Sequence, residues 1–131
     1  MSCPSSIYTV NTNYTTTAGG ILPAGTTVRR YGKSCQSDGI GISLTGVGYY
    51  DVKSTLTFTP STTGEVTITI AQDGTPIQGA TMTVQGTASE PCGLSVITKA
   101  RNCGCDCNST LNAIISAVGV ANNFTIDVTK E

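Results

Sequence analysis

From Gly48 onward the chain alternates between apolar and polar residues with a period of two. Tyr50, Val52, Leu56 and Phe58 fall on one side, with Ser54 among them, and Asp51, Lys53, Thr55 and Thr57 fall on the other. That alternation describes a strand with one dry and one wet face. Val66, Ile68 and Ile70 alternate in the same way with Glu65, Thr67 and Thr69 after the turn residues Pro60–Gly64. The two runs are expected to pair as an antiparallel hairpin. Asp73-Gly74 is a tight-turn signal, because both residues tolerate positive φ. A strand bent near Gly79 follows over Pro76–Val84, with Ala80, Met82 and Val84 inward. The closing run, Asn123–Lys130, places Phe124, Ile126 and Val128 inward.

Ahead of Gly48 the signals are shorter. Strands are predicted at Thr27–Tyr31 and Ile40–Leu44, separated by a loop over Gly32–Gly39. The first nineteen residues, rich in Ser, Thr and Asn, read as an extended N-terminal arm (1–19) joined at Ala18-Gly19-Gly20 to a folded domain over 20–131. Ile7, Tyr8, Val10 and Tyr14 are the arm's candidate anchors to a larger surface. Leu94–Arg101 and Leu111–Val118 carry apolar residues on both faces. Leu111–Val120 reads as a strand, with a single helix as the alternative that local propensity allows. Short strands with a turn about every ten residues predict an all-β fold: a two-sheet antiparallel sandwich or jelly roll.

Composition narrows the chemistry. The 131 residues suit one domain with its own core. β-Branched residues and Gly dominate over helix formers. Charged residues are 11% of the chain and the net charge is −1, so no basic stripe for nucleic acid exists. No apolar run is long enough for a transmembrane helix, and the polar start, Met1–Ser5, predicts cytoplasmic synthesis without a signal peptide. His and Trp are absent. A Ser-His-Asp triad or a His-ligated metal is therefore excluded from this chain alone. A thiol enzyme on Cys103–Cys107 would need a base such as Lys99 or Asp106, and nothing positions one. The expectation is a protein that is not an enzyme and has no cofactor.

The two-faced late strands point to self-association. A sandwich buries one face of each sheet, so strands apolar on both faces need a second cover. Ile97, Ile114 and Val118 would stand in water in a single copy, and Tyr49 joins them. Covering each contributes about 1–2 kcal/mol, and a patch of this kind marks an interface.

Gly48-Tyr49-Tyr50-Asp51-Val52 with its long alternating strand, Asp73-Gly74-Thr75-Pro76-Ile77 and the closing Asn123-Phe124-Thr125-Ile126-Asp127-Val128 together resemble a known family. This is the jelly-roll head shared by tumour necrosis factor and the globular domain of the first complement component. Val28–Gly32 and Gly39–Leu44 are most similar to small bacterial and bacteriophage versions, including head-decoration and head-fibre-type proteins. The resemblance covers roughly residues 21–130 and carries over no catalytic residue. It implies a homotrimer packed about a three-fold axis through the faces of one sheet. It also implies a virion protein on the capsid exterior, whose partners are its own copies and a major capsid or other shell protein. A lectin-like or receptor-binding head, taking a host-surface glycan through Tyr14 or Tyr31, is the competing reading.

Six cysteines remain: Cys3, Cys35, Cys92, Cys103, Cys105 and Cys107. The Cys103-Gly104-Cys105-Asp106-Cys107 run could hold a soft metal, although it lacks the paired Cys-x-x-Cys units of structural zinc sites. Disulfides, for example between Cys92 and this loop, are the alternative. Arg29-Arg30 reads either as a grip on an acidic partner or as the solvated edge of a strand.

Overall fold

The computed structural model describes residues 5–32, 34–102 and 109–130. Eleven strands are found among them and no α-helix. The first sheet holds β1 (Ser6–Thr15), β3 (Thr26–Tyr31), β6 (Gly48–Pro60), β9 (Cys92–Asn102) and β11 (Gly119–Lys130), in the order β3-β1-β11-β6-β9. The second holds β4 (Cys35–Ser37), β5 (Ile42–Leu44), β7 (Gly64–Gln72), β8 (Thr75–Gly86) and β10 (Ser109–Ile115), in the order β4-β5-β10-β7-β8. Strand β2 (Gly20–Leu22) also pairs with β10. The fold is all-β, with two antiparallel sheets packed face to face in a jelly roll. Residues 111–115 are strand, which settles the helix alternative.

The predicted inward rows are the core. Tyr50, Phe58 and Phe124 are the largest fully buried side chains, joined by Val52, Leu56, Val66, Ile68, Ile70, Leu111, Ile115 and Val128. Each such aliphatic or aromatic residue contributes about 1.5–3 kcal/mol by leaving water. The Asp73-Gly74 turn forms as expected, with φ of 53° and 84° joining β7 to β8. Gly79 has φ 83° beside a register shift in that pair, which is the anticipated bend.

Two expectations are overturned. Strands β6 and β7 do not pair: β6 lies between β11 and β9, and β7 between β10 and β8. From β5 to β11 every connection except the β7–β8 hairpin crosses from one sheet to the other. Alternation specifies which side of a strand is dry, and it is silent on which sheet the strand joins. The second correction concerns the arm. Residues 6–15 are an interior strand, paired with β11 from Ser6 to Thr15 on one side and with β3 on the other. Ile7 and Thr9 are fully buried on its inner face. The polar composition concealed this, because Thr9 occupies a core position usually held by an aliphatic residue.

Candidate functional site: the outer face of the first sheet

Cross-strand register organises the outward side chains of the first sheet into rows. Arg29, Tyr8, Asp127, Lys53 and Ile97 stand side by side across all five strands. Tyr31, Ser6, Thr129, Asp51 and Lys99 form the next row. Beyond it Tyr49 lies opposite Arg101, whose guanidinium sits 6.0 Å from the ring centroid, a cation–π distance. Lys99 Nζ is 3.8 Å from Asp51 Oδ1. In the other direction Thr55 and Thr125 share a hydroxyl–hydroxyl hydrogen bond of 2.6 Å.

The large exposed side chains of this face gather at its two margins. Ile97 is 75% exposed and Tyr49 52% on the β6–β9 side; Tyr31 is 64% exposed and Tyr8 38% on the β1–β3 side. The lane between them, on β11 and β6, is polar. Strand β3 is exposed throughout, with Arg29 and Arg30 on the edge of the sheet as the described residues form it. Charged residues on such an edge discourage pairing with a stray strand.

The residues expected to form one interface are divided by the topology. Tyr49 and Ile97 lie on this face. Ile114 points outward from the second sheet, half-buried beside Ile21 and Thr69. Val118 sits in the turn between β10 and β11, where its carbonyl accepts from Ser61 N. The predicted anchors also part company. Ile7 is in the core, Tyr14 packs against it, and Tyr8 and Val10 face outward. Asn13, at φ 54°, is the irregularity that turns Tyr14 inward. Tyr14 and Tyr31 stand near opposite ends of β1, so they do not form one glycan platform. Tyr31 was expected only as a glycan contact, and Val28 beside it on β3, 51% exposed, was not singled out. Their only sequence signal is that Thr26–Tyr31 has no dry row, which is what an edge strand looks like.

Cys3, Cys103, Cys105 and Cys107 lie outside the described residues. Among the described residues no three metal-binding side chains come together. Cys35 is buried on the inner face, and burial pushes its thiol up, against a hydrogen bond from Ser5 that lowers it. Burial also raises the half-buried Cys92. Cys92 opens β9, whereas the 103–107 run follows the far end of that strand at Asn102. The disulfide or metal site expected between Cys92 and this run therefore lies outside the described residues. At the Asn102 end, the Asn102 amide donates to the carbonyls of Leu44 and Gly46, at 3.3 and 3.1 Å. Tyr50 Oη donates to Gly46 O and accepts from Gly46 N. These bonds tie both sheets together where the chain leaves β9.

A shallow cleft at the β7–β8 hairpin, of about 440 Å³, is lined by Gln72, Asp73, Thr75, Pro76 and Ile77. Its one carboxylate is occupied, since Asp73 Oδ1 accepts from Thr110 N at 2.9 Å.

Solved structures share this architecture along nearly the whole chain. Murine APRIL superposes with a TM-score of 0.74 at 11% identity, over 98% of this chain and all of that one. The PRD1 vertex protein P5 gives 0.64 at 14% identity over 96% of each chain. Eiger TNF from S. frugiperda gives 0.65 at 8%, covering 97% of this chain and 91% of that one. The likeness establishes a tumour-necrosis-factor-like jelly roll. No protein-family model matches the sequence, and no curated protein does.

Proposed function

We propose that the chain is a non-catalytic structural component of a phage virion: a homotrimeric decoration or head-fibre-type protein on the capsid exterior. The observation that carries this reading is the outer face of the first sheet. A fold shared along nearly the whole chain with the PRD1 vertex protein P5 leaves bulky apolar groups in water there, beside the Lys99–Asp51 pair. Further copies of the chain are the cover that a three-fold jelly roll supplies. Light scattering after size exclusion tests the assembly. The expected mass is three chains, and a monomer at micromolar concentration refutes it.

Residues 6–15 form a strand between β11 and β3, so an arm that leaves the domain to grip a shell protein would be made of the residues before Ser6. Removing residues 1–4 should leave folding and assembly intact and abolish co-sedimentation with capsids; undiminished binding refutes that role.

A surface-binding head is the second reading, favoured by exposed Tyr31 beside Arg29 and Arg30. Aromatic faces next to polar groups are what sugars pack on. Binding on a glycan array that is lost in Tyr31→Ala would establish it.

A further inference from the structure

Along one side of the sandwich the two sheets meet at β8 and β9, each the last strand of its sheet among the described residues. No strand ladder joins the two there. Instead, side chains of the second sheet reach across to the backbone of β9. Gln72 Nε2 donates to Arg101 O at 2.7 Å, and Met82 Sδ accepts from Ser95 N at 3.1 Å. Met82 stands on the inward row of β8 with Ala80 and Val84, opposite Ile68, and is half-buried against the core. The neighbouring inward row on β7, Val66, Ile68 and Ile70, is wholly aliphatic. Packing alone would accept another aliphatic residue at position 82. A thioether adds a weak acceptor, and the Ser95 amide uses it.

We propose that Met82 is a modification site for peroxide, and that its oxidation unfastens the seam between β8 and β9. The side chain is only half-buried and sits on an edge strand, where peroxide, little larger than water, reaches it. A sulfur lone pair attacks one oxygen of hydrogen peroxide, and the S–O bond forms as the O–O bond breaks. The departing hydroxide takes the remaining proton and leaves as water. Sulfur is oxidised by two electrons, the peroxide is reduced, and the apolar thioether becomes a polar sulfoxide. Two features make that product disruptive. At 3.1 Å the Ser95 nitrogen and the sulfur already touch, so no oxygen atom fits between them. The remainder of the side chain packs on the core, where a sulfoxide would be a polar group without a partner. The oxidised side chain therefore turns out to water and releases the Ser95 amide. That thins the cover over Leu94 and Val96, the buried residues on either side of Ser95.

The test uses the full chain with hydrogen peroxide as the probe. Peptide mass spectrometry after treatment should find one added oxygen on Met82. Hydrogen exchange followed by NMR should show the Ser95 amide exchanging at least about tenfold faster, while amides of the β7–β10 ladder keep their rates. Met82→Leu keeps the volume and removes the acceptor. Its Ser95 amide should exchange quickly without peroxide, and peroxide should add nothing. A Met82 left unoxidised under conditions that oxidise it in the urea-unfolded chain overturns the proposal. So does a sulfoxide that leaves Ser95 as protected as before, or a Met82→Leu chain with undiminished protection there. The peroxide treatment needs no substitution, so it decides the matter even where Met82→Leu does not fold.

Discussion

The outer faces of the two sheets are built from the same alternation and have opposite characters. On the second sheet the outward rows are threonine ladders, in which Thr67 meets Thr83 and Thr69 meets Thr81 through hydroxyl contacts of 2.8 and 3.3 Å. Ile21 and Ile114 make a small apolar spot there, and Ile114 is half-buried. These threonine hydroxyls bond to one another within one copy. On the first sheet, charges occupy the centre and bulky apolar groups stand exposed at both edges. A wet face is therefore not one kind of surface. What separates the two is where bulky apolar side chains stand in water: at both margins of the first sheet, and at Ile21 on the second.

The contrast breaks most severely if the first sheet loses an interior strand. Deleting residues 6–15 removes Ile7 and Thr9 from the core and leaves β3 and β11 without the strand between them. Cooperative unfolding should vanish from the denaturation curve, together with assembly. A deletion protein that still melts sharply would show that β1 is an appendage after all.

A substitution pair on β10 sharpens the comparison at the next level. Ile115 is fully buried and its neighbour Ile114 faces outward. Ile115→Ala should cost about 2–5 kcal/mol in urea unfolding through lost burial and the cavity left behind. Ile114→Ala should cost less than about 1 kcal/mol, and Ile114→Arg should leave the subunit number unchanged. If Ile114→Arg dissociates the assembly, the second sheet is an interface as well.

These residues also mark how far the sequence could be read. The dry rows of β6, β7 and β11 were legible because each holds several large apolar residues at spacing two, a pattern that burial alone explains. Ile97 was legible as an outward apolar residue for the same reason. Its separation from Ile114 was not, since the two are assigned to different sheets by crossover connections that local pattern does not encode. Strand β1 was lost because its inner row mixes Ile7 with Thr9, and its outer row mixes Tyr8 and Val10 with Ser6 and Thr12. Neither row is apolar enough to announce a core.

Thr9 provides a gentler test. Its hydroxyl is buried with no hydrogen-bond partner among the described residues, as is that of Ser54, and both flank Ile126 on the inner row of the first sheet. A buried hydroxyl that forms no bond has lost its water without compensation. Thr9→Val keeps the shape and removes that loss, so the unfolding free energy should rise by about 1 kcal/mol. A fall would mean that the hydroxyl is bonded in solution.

The smallest effect belongs to the margin of the second sheet, where the Asp38 side chain braces the loop before β5. Asp38 Oδ1 accepts from Ile40 N and Gly41 N, each at 2.9 Å. The Gly41 and Ile40 amides hold its carboxyl below the ordinary carboxylate range. A carboxylate whose folded pKa is depressed contributes stability above its unfolded value, near 4, and loses it as pH falls through the lower folded value. Protection of the Ile40 and Gly41 amides in hydrogen exchange should therefore persist from neutral pH down to about 4 and decline only below it. Asp38→Ala should abolish that protection at every pH and leave global stability almost unchanged, because the carboxylate is in open solvent. Protection already declining near pH 6 would mean that these two bonds do not hold the loop, whose shape would then follow from the Ala24 and Gly25 amides bonded to the carbonyls of Ile40 and Gly39.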